Sequence, residues 1–103
     1  SNSGDGNSYG VSKALSWLVL PELEARVSEK NVLIQIHCEK HKGVLMHILK
    51  LIDKLYLSVL NTTSLTFGTS IVNITITSKM DDKFSFSVKQ LAKNIRVGLL
   101  QLM

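Results

Sequence analysis

The sequence predicts an α+β sandwich: one four-stranded antiparallel sheet with two helices on a single face, in the order β-β-α-β-β-α. The first observation behind this is a repeated switch of hydrophobic period. Apolar residues recur with period two over 22–27 and 32–38, then with the helical period over 44–55. Period two returns over 56–66 and 70–78, and the helical period closes the chain over 85–102. The second is that short polar links join the strands within each pair, as hairpins require. The third is size, because 103 residues supply one modest core and no more.

The elements follow in order. Ser1 to Gly10 is rich in Ser, Asn and Gly, without apolar periodicity, and reads as a flexible leader. Val11, Ala14, Leu15 and Leu18 fit one face of a short helix ending before Pro21, so residues 1–19 are assigned to a leader and 20–103 to the domain. Leu23, Ala25 and Val27 alternate with Glu22, Glu24 and Arg26 in a half-buried strand. After Ser28-Glu29-Lys30, Val32, Ile34, Ile36 and Cys38 take one face of the next strand, and Leu33, Gln35, His37 and Glu39 the other. Leu45, Ile48, Leu49, Ile52 and Leu55 form the buried stripe of the first helix, with Lys50, Asp53 and Lys54 turned away. The third strand opens at Leu57 and Val59, and Gly68-Thr69-Ser70 turns it into the fourth. There Val72, Ile74 and Ile76 share a face against Ile71, Asn73, Thr75 and Thr77. Asp81-Asp82-Lys83 is a polar turn, and Ser87 with Gln90 is a capping-box pattern that starts the last helix. That helix buries Val88, Leu91, Ile95, Leu99 and Leu102 and leaves Lys89, Lys93 and Arg96 to solvent.

Several strings in this frame are specific. Leu20-Pro21-Glu22-Leu23-Glu24-Ala25-Arg26-Val27, the run from Val32 through His37-Cys38-Glu39-Lys40, Lys42-Gly43, Phe67-Gly68 and Ile74-Thr75-Ile76 together resemble the C-terminal ACT-like domain of plant basic helix-loop-helix (bHLH) transcription factors. The resemblance runs from about Leu20 to the C-terminus. It implies a regulatory dimerisation module in the nucleus, with itself or related bHLH ACT-like domains as partners and a homodimer as the first expectation. The basic region and helix-loop-helix of that family have no counterpart in residues 1–19. No direct nucleic-acid contact is therefore expected from this stretch, although the parent protein of such a domain binds DNA. The ACT domains of metabolic enzymes resemble the fold as well. They bind amino acids near the loop that reads Lys40, His41, Lys42 and Gly43 in this chain, which makes a ligand-sensing loop the alternative reading. The acidic residue that often precedes the glycine in such domains is replaced by basic residues. The usual ACT order also ends on a strand, so the strand at 22–27 is expected to fill the vacant sheet edge beside the 31–39 strand, and that strand to pair with the last.

Other chemistries find little footing. The net charge of +4 raises encounter rates with polyanions without making a nucleic-acid binder. Tyr9, Trp17 and Tyr56 do not interleave with the lysines as stacking surfaces do. No apolar run reaches the roughly 20 residues that span a bilayer, and no basic–apolar–small-residue pattern predicts a secretory leader. His37, His41 and His47 lack ligand spacing and a second cysteine, which argues against zinc. No nucleophile elbow and no phosphate loop occur, so neither enzyme activity nor a cofactor is expected. Cys38, lone and flanked by Ile36, reads as a small buried hydrophobe. Asn61-Thr62-Thr63 and Asn73-Ile74-Thr75 are glycosylation sequons set inside strands, where acceptors do not normally lie.

The sheet face away from the helices remains. The period places Leu33, Gln35, His37, Leu60, Thr62, Ile71, Asn73 and Thr75 on it, an uncharged set with apolar residues scattered through it. Interface cores are depleted in charge, so these are the candidate dimer-interface residues. Pairing through an unpaired sheet edge is the rival surface.

Overall fold

The computed structural model describes residues 21–102; the expected leader and its short helix lie outside them. The elements run β1 (Glu22–Ser28), β2 (Asn31–Glu39), α1 (Val44–Lys54), β3 (Leu57–Phe67), β4 (Ile71–Met80) and α2 (Val88–Leu102). This is the expected order β-β-α-β-β-α of an ACT-like sandwich. All pairings are antiparallel, and the sheet order is β1-β2-β4-β3. β1 fills the edge beside β2, and β2 and β4 form the centre.

The core follows from the alternation in the two central strands. Val32, Ile34, Ile36 and Cys38 of β2 and Val72, Ile74 and Ile76 of β4 are buried under the helices. Val44, Ile48 and Ile52 of α1 and Leu91, Ile95 and Leu99 of α2 close over them. Ser78 is the one buried polar residue among those described, and its hydroxyl donates to the Val32 carbonyl at 3.0 Å, so its burial leaves no unmet donor. Phe84 and Phe86, edge to face with centroids 5.5 Å apart, plug the link from β4 to α2.

The ends of the elements have local causes. Glu29 turns β1 into β2 with φ 56, and Tyr56 turns α1 into β3 with φ 63, both unusual for residues bearing a Cβ. Gly43 caps α1 at φ 77 without a side-chain bond. The capping box is present at α2: Ser87 N–H donates to Gln90 Oε1 at 2.9 Å and Gln90 N–H to Ser87 Oγ at 3.1 Å. The helix begins at Val88, three residues later than the period alone suggests, and Val88 is exposed rather than buried.

Three residues of α1 and α2 make contacts that the period does not announce. His47 is part-buried and bonds the Gly98 carbonyl at 3.1 Å. A carbonyl only accepts, so Nε2 carries the proton. Arg96, expected to point into water, extends its guanidinium to the Pro21 carbonyl at 2.7 Å and ties α2 to the entrance of β1. Gly98 lies where α2 meets α1, and a Cβ there would overlap the Leu51 side chain.

The close approach at Gly98 makes a testable case of two opposed effects. Alanine would gain about 1 kcal/mol of helix propensity, but overpacking costs about 1–3 kcal/mol. Gly98→Ala is expected to lower the denaturant midpoint, and to lower it less when Leu51→Ala has emptied the contact. Equal losses in both backgrounds would place the strain elsewhere.

Candidate functional site

Register decides which side chains share the open face, because directly opposed residues project to the same side. Glu22, His37 and Asn73 form one row across β1, β2 and β4, and Glu24, Gln35 and Thr75 the next. Arg26, Leu33 and Thr77 follow, and Glu39 stands opposite Ile71 at the far corner. Six of the expected residues therefore lie together on the face away from the helices: Leu33, Gln35, His37, Ile71, Asn73 and Thr75.

Leu60 and Thr62 do not join them in register. The β3–β4 register shifts between Val59 and Asn61, which leaves Leu60 in a bulge. One extra residue reverses the phase of everything after it. Thr62 stands opposite Ile76 on the helix side, and Asn61, Thr63, Leu65 and Phe67 take the open face opposite Thr77, Thr75, Asn73 and Ile71. The period-two reading carried the phase of Val59 straight through a stretch whose Asn, Thr and Ser residues offer no apolar alternation to correct it.

The two halves of this face differ in chemistry. Toward β1 it is charged: Arg26 is 3.0 Å from Glu24, and His37 Nδ1 is 3.6 Å from Glu22. A shallow depression of about 550 Å³ opens among Glu22, Glu24, Gln35, His37, Asn73 and Thr75. Toward β3 there is no charge at all. From Leu55 to Ser78 the chain carries no Asp, Glu, Lys, Arg or His. Leu60, Leu65 and Phe67 are 60%, 68% and 73% exposed on that strand. Sequence reasoning missed Leu65 and Phe67, although the charge-free run that contains them was visible.

The loop of the alternative reading is tied to the β3–β4 turn and to the start of α1. Lys40 N–H donates to Ser70 O at 2.7 Å, Val44 N–H to His41 O at 3.1 Å and His47 N–H to Gly43 O at 3.0 Å. A Cβ at Gly43 would meet nothing within 4 Å, so the glycine serves its left-handed backbone rather than a close approach. His41 Nε2 is 3.7 Å from Glu39 Oε1 and has no hydrogen-bond partner among the described residues.

Among the described residues, no three His, Cys, Asp or Glu side chains converge as a metal site. No helix among them is long and apolar enough to cross a membrane.

The family model for the plant bHLH transcription factor ACT-like domain matches residues 22–97, which takes in all four strands and most of α2. The chain belongs to that family. Its ACT-like domain is similar to transcription factor NAI1 of Arabidopsis thaliana, 49% identical over 82 residues, covering 80% of this chain and 26% of the relative. It is similar also to transcription factor bHLH19 of Arabidopsis thaliana, 42% identical over 82 residues, covering 79% and 28%. The chain spans about a quarter of the length of these curated relatives. No solved structure matches it. As an ACT-like domain of bHLH transcription factors, it takes a regulatory role.

Cys38 is buried in the ACT-like core beside the loop. Burial, with a smaller contribution from the Glu39 carboxylate, raises its thiol above the ordinary value. A thiol reagent at neutral pH is expected to label Cys38 only as denaturant unfolds the domain. Rapid labelling of the native protein would contradict its burial. The sign of the pH dependence follows as well. The folded state holds the proton more tightly, so this stabilisation is complete below the ordinary thiol range and is lost as pH rises through it. Cys38→Ala should lack that alkaline slope.

Proposed function

We propose that the domain is a non-enzymatic pairing module. It associates with a second copy of itself, or with the ACT-like domain of a related bHLH protein, and thereby biases which helix-loop-helix partners join and which DNA they read. The observation that supports this most is the charge-free β3–β4 hairpin with Leu60, Leu65 and Phe67 exposed along it. Interface cores are depleted in charge and enriched in aromatic side chains, and this is the part of the sheet with that composition. The polar rows near β1, from Leu33 to His37, suit the rim of such a contact.

The mechanism is effective concentration. Once the helix-loop-helix segments of two chains meet, the tethered domains face each other at effective concentrations of the order of millimolar. A contact too weak to hold two free domains together can then shift the choice of partner. In this reading residues 20–103 form the pairing unit, residues 1–19 lead into it, the parent protein acts in the nucleus, and contact with DNA falls to its other segments. A sensing role at Lys40–Gly43 has less support, since basic residues stand where the acidic residue often precedes the glycine in amino-acid-binding ACT domains.

Sedimentation velocity across a wide concentration range tests self-pairing. The expected result is a reversible rise in sedimentation coefficient from monomer toward dimer. A monomer at every concentration would overturn it.

A further inference from the structure

The chain enters the domain pressed against α2. Pro21 is buried, and its carbonyl accepts the Arg96 guanidinium at 2.7 Å. Beside this tie α2 leaves two apolar side chains in the open: Val97 is 47% and Leu100 52% exposed. Leu100 lies four residues beyond Arg96, one turn further along the same side of the helix, and Val97 adjoins it three residues back. Every other exposed residue between Lys89 and Gln101 is polar. The apolar patch on the outside of α2 is therefore confined to the turns next to Pro21. Single exposed apolar residues are ordinary on a protein surface, but a pair on adjacent turns at the point of chain entry has a ready occupant.

We infer that the segment Val11–Leu18 of the same chain docks as a short helix on the outside of α2, with its apolar stripe over Val97 and Leu100. Val11, Ala14, Leu15 and Leu18 share one face at the helical period, and Lys13 is the only charged residue in 11–20. A helix this short is marginal alone in water and needs an apolar surface to pack on. The reach is sufficient. The link from Leu18 to Pro21 spans at most about 10 Å, and Leu100 stands only about 6 Å along the helix from Arg96. Leu20 precedes a proline and so favours extended backbone, which ends the docked helix before the link bends into β1. The bond from Arg96 to the Pro21 carbonyl fixes where that bend begins. A second copy could offer the same stripe, but the tether holds the chain's own segment at a far higher effective concentration. Docking goes beyond the pairing role and does not depend on it, since it takes place within one chain. Its bearing on that role is through the tether: a docked segment shortens the chain that leads into the domain, and effective concentration rises as a tether shortens toward the span it must cover.

Trp17, the only tryptophan of the chain, lies beside this stripe and reports on it. In the dilute intact chain, acrylamide is expected to quench Trp17 severalfold less than it does in urea, and the amides of residues 12–18 to be protected from hydrogen exchange. Leu100→Glu alters a side chain that is already exposed, so it does not threaten the core. It is expected to lower that amide protection by about tenfold or more and to raise quenching toward the urea value. Leu18→Glu should do the same from the other side of the contact, and Leu18→Lys combined with Leu100→Glu should recover part of the protection. Lys89→Glu, at the far end of α2, should change nothing. A wild-type Trp17 as accessible as in urea would overturn the inference. Protection that survives both Leu100→Glu and Val97→Glu would overturn it too, by placing the segment elsewhere. Protection that appears only as concentration rises would overturn it in favour of a second copy. Amides of β2 and β4 that exchange as in the wild type show that the domain itself is intact in each variant.

Discussion

The register between β2 and β4 is the constraint on which the rest of the structure depends. Val32, Ile34, Ile36 and Cys38 can reach the helices only while Ile34 stands opposite Ile76 and Ile36 opposite Ile74. A slip by one residue would turn these side chains to solvent and Gln35, His37, Asn73 and Thr75 into the core. Burying any one of those polar groups without a partner costs about 1–3 kcal/mol, and the buried apolar side chains would each forfeit about as much again. The slip is therefore excluded, and with it every alternative assignment of the open face. The candidate surface is a by-product of this choice. It consists of whatever the core alternation leaves on the other side.

That dependence explains what could be read from the sequence. In β2 and β4 one face is apolar but for Ser78, so phase and partner were legible from residues alone. The N-terminal strand was placed at the correct edge because the resemblance to ACT-like domains left that edge vacant. The capping box at Ser87 and Gln90 located α2 through a local bond that needs no tertiary information. Beyond Leu57 and Val59, β3 has polar residues on both faces, since the helices do not cover its distal half. No core demand fixes its phase, and the bulge at Leu60 passed unnoticed, taking Thr62 to the wrong face. His47, Arg96 and Gly98 were illegible for another reason: their partners lie 51 or more residues away for His47 and Arg96, and across the helix pair for Gly98.

The same freedom connects the fold to its role. A strand required by the core cannot also be shaped for a partner, whereas one half-released from it can. β3 is anchored at one end by Leu57 and along its inner side by β4, while its distal half answers to neither helix. A monomer with no use for that edge would be safer with a lysine on it. In the pairing proposed above, this uncharged strand would add a contact of modest strength at high effective concentration, one that changes partner choice without holding free domains together.

Hydrogen exchange of the backbone amides, read residue by residue at low and high protein concentration, tests this account most directly. Pairing through β3 predicts that amides within Asn61–Phe67 gain protection as concentration rises, while the outer amides of β1 exchange at the same rate throughout. Protection that appears on β1 instead, or a β3 indifferent to concentration in a protein that does dimerise, would contradict it.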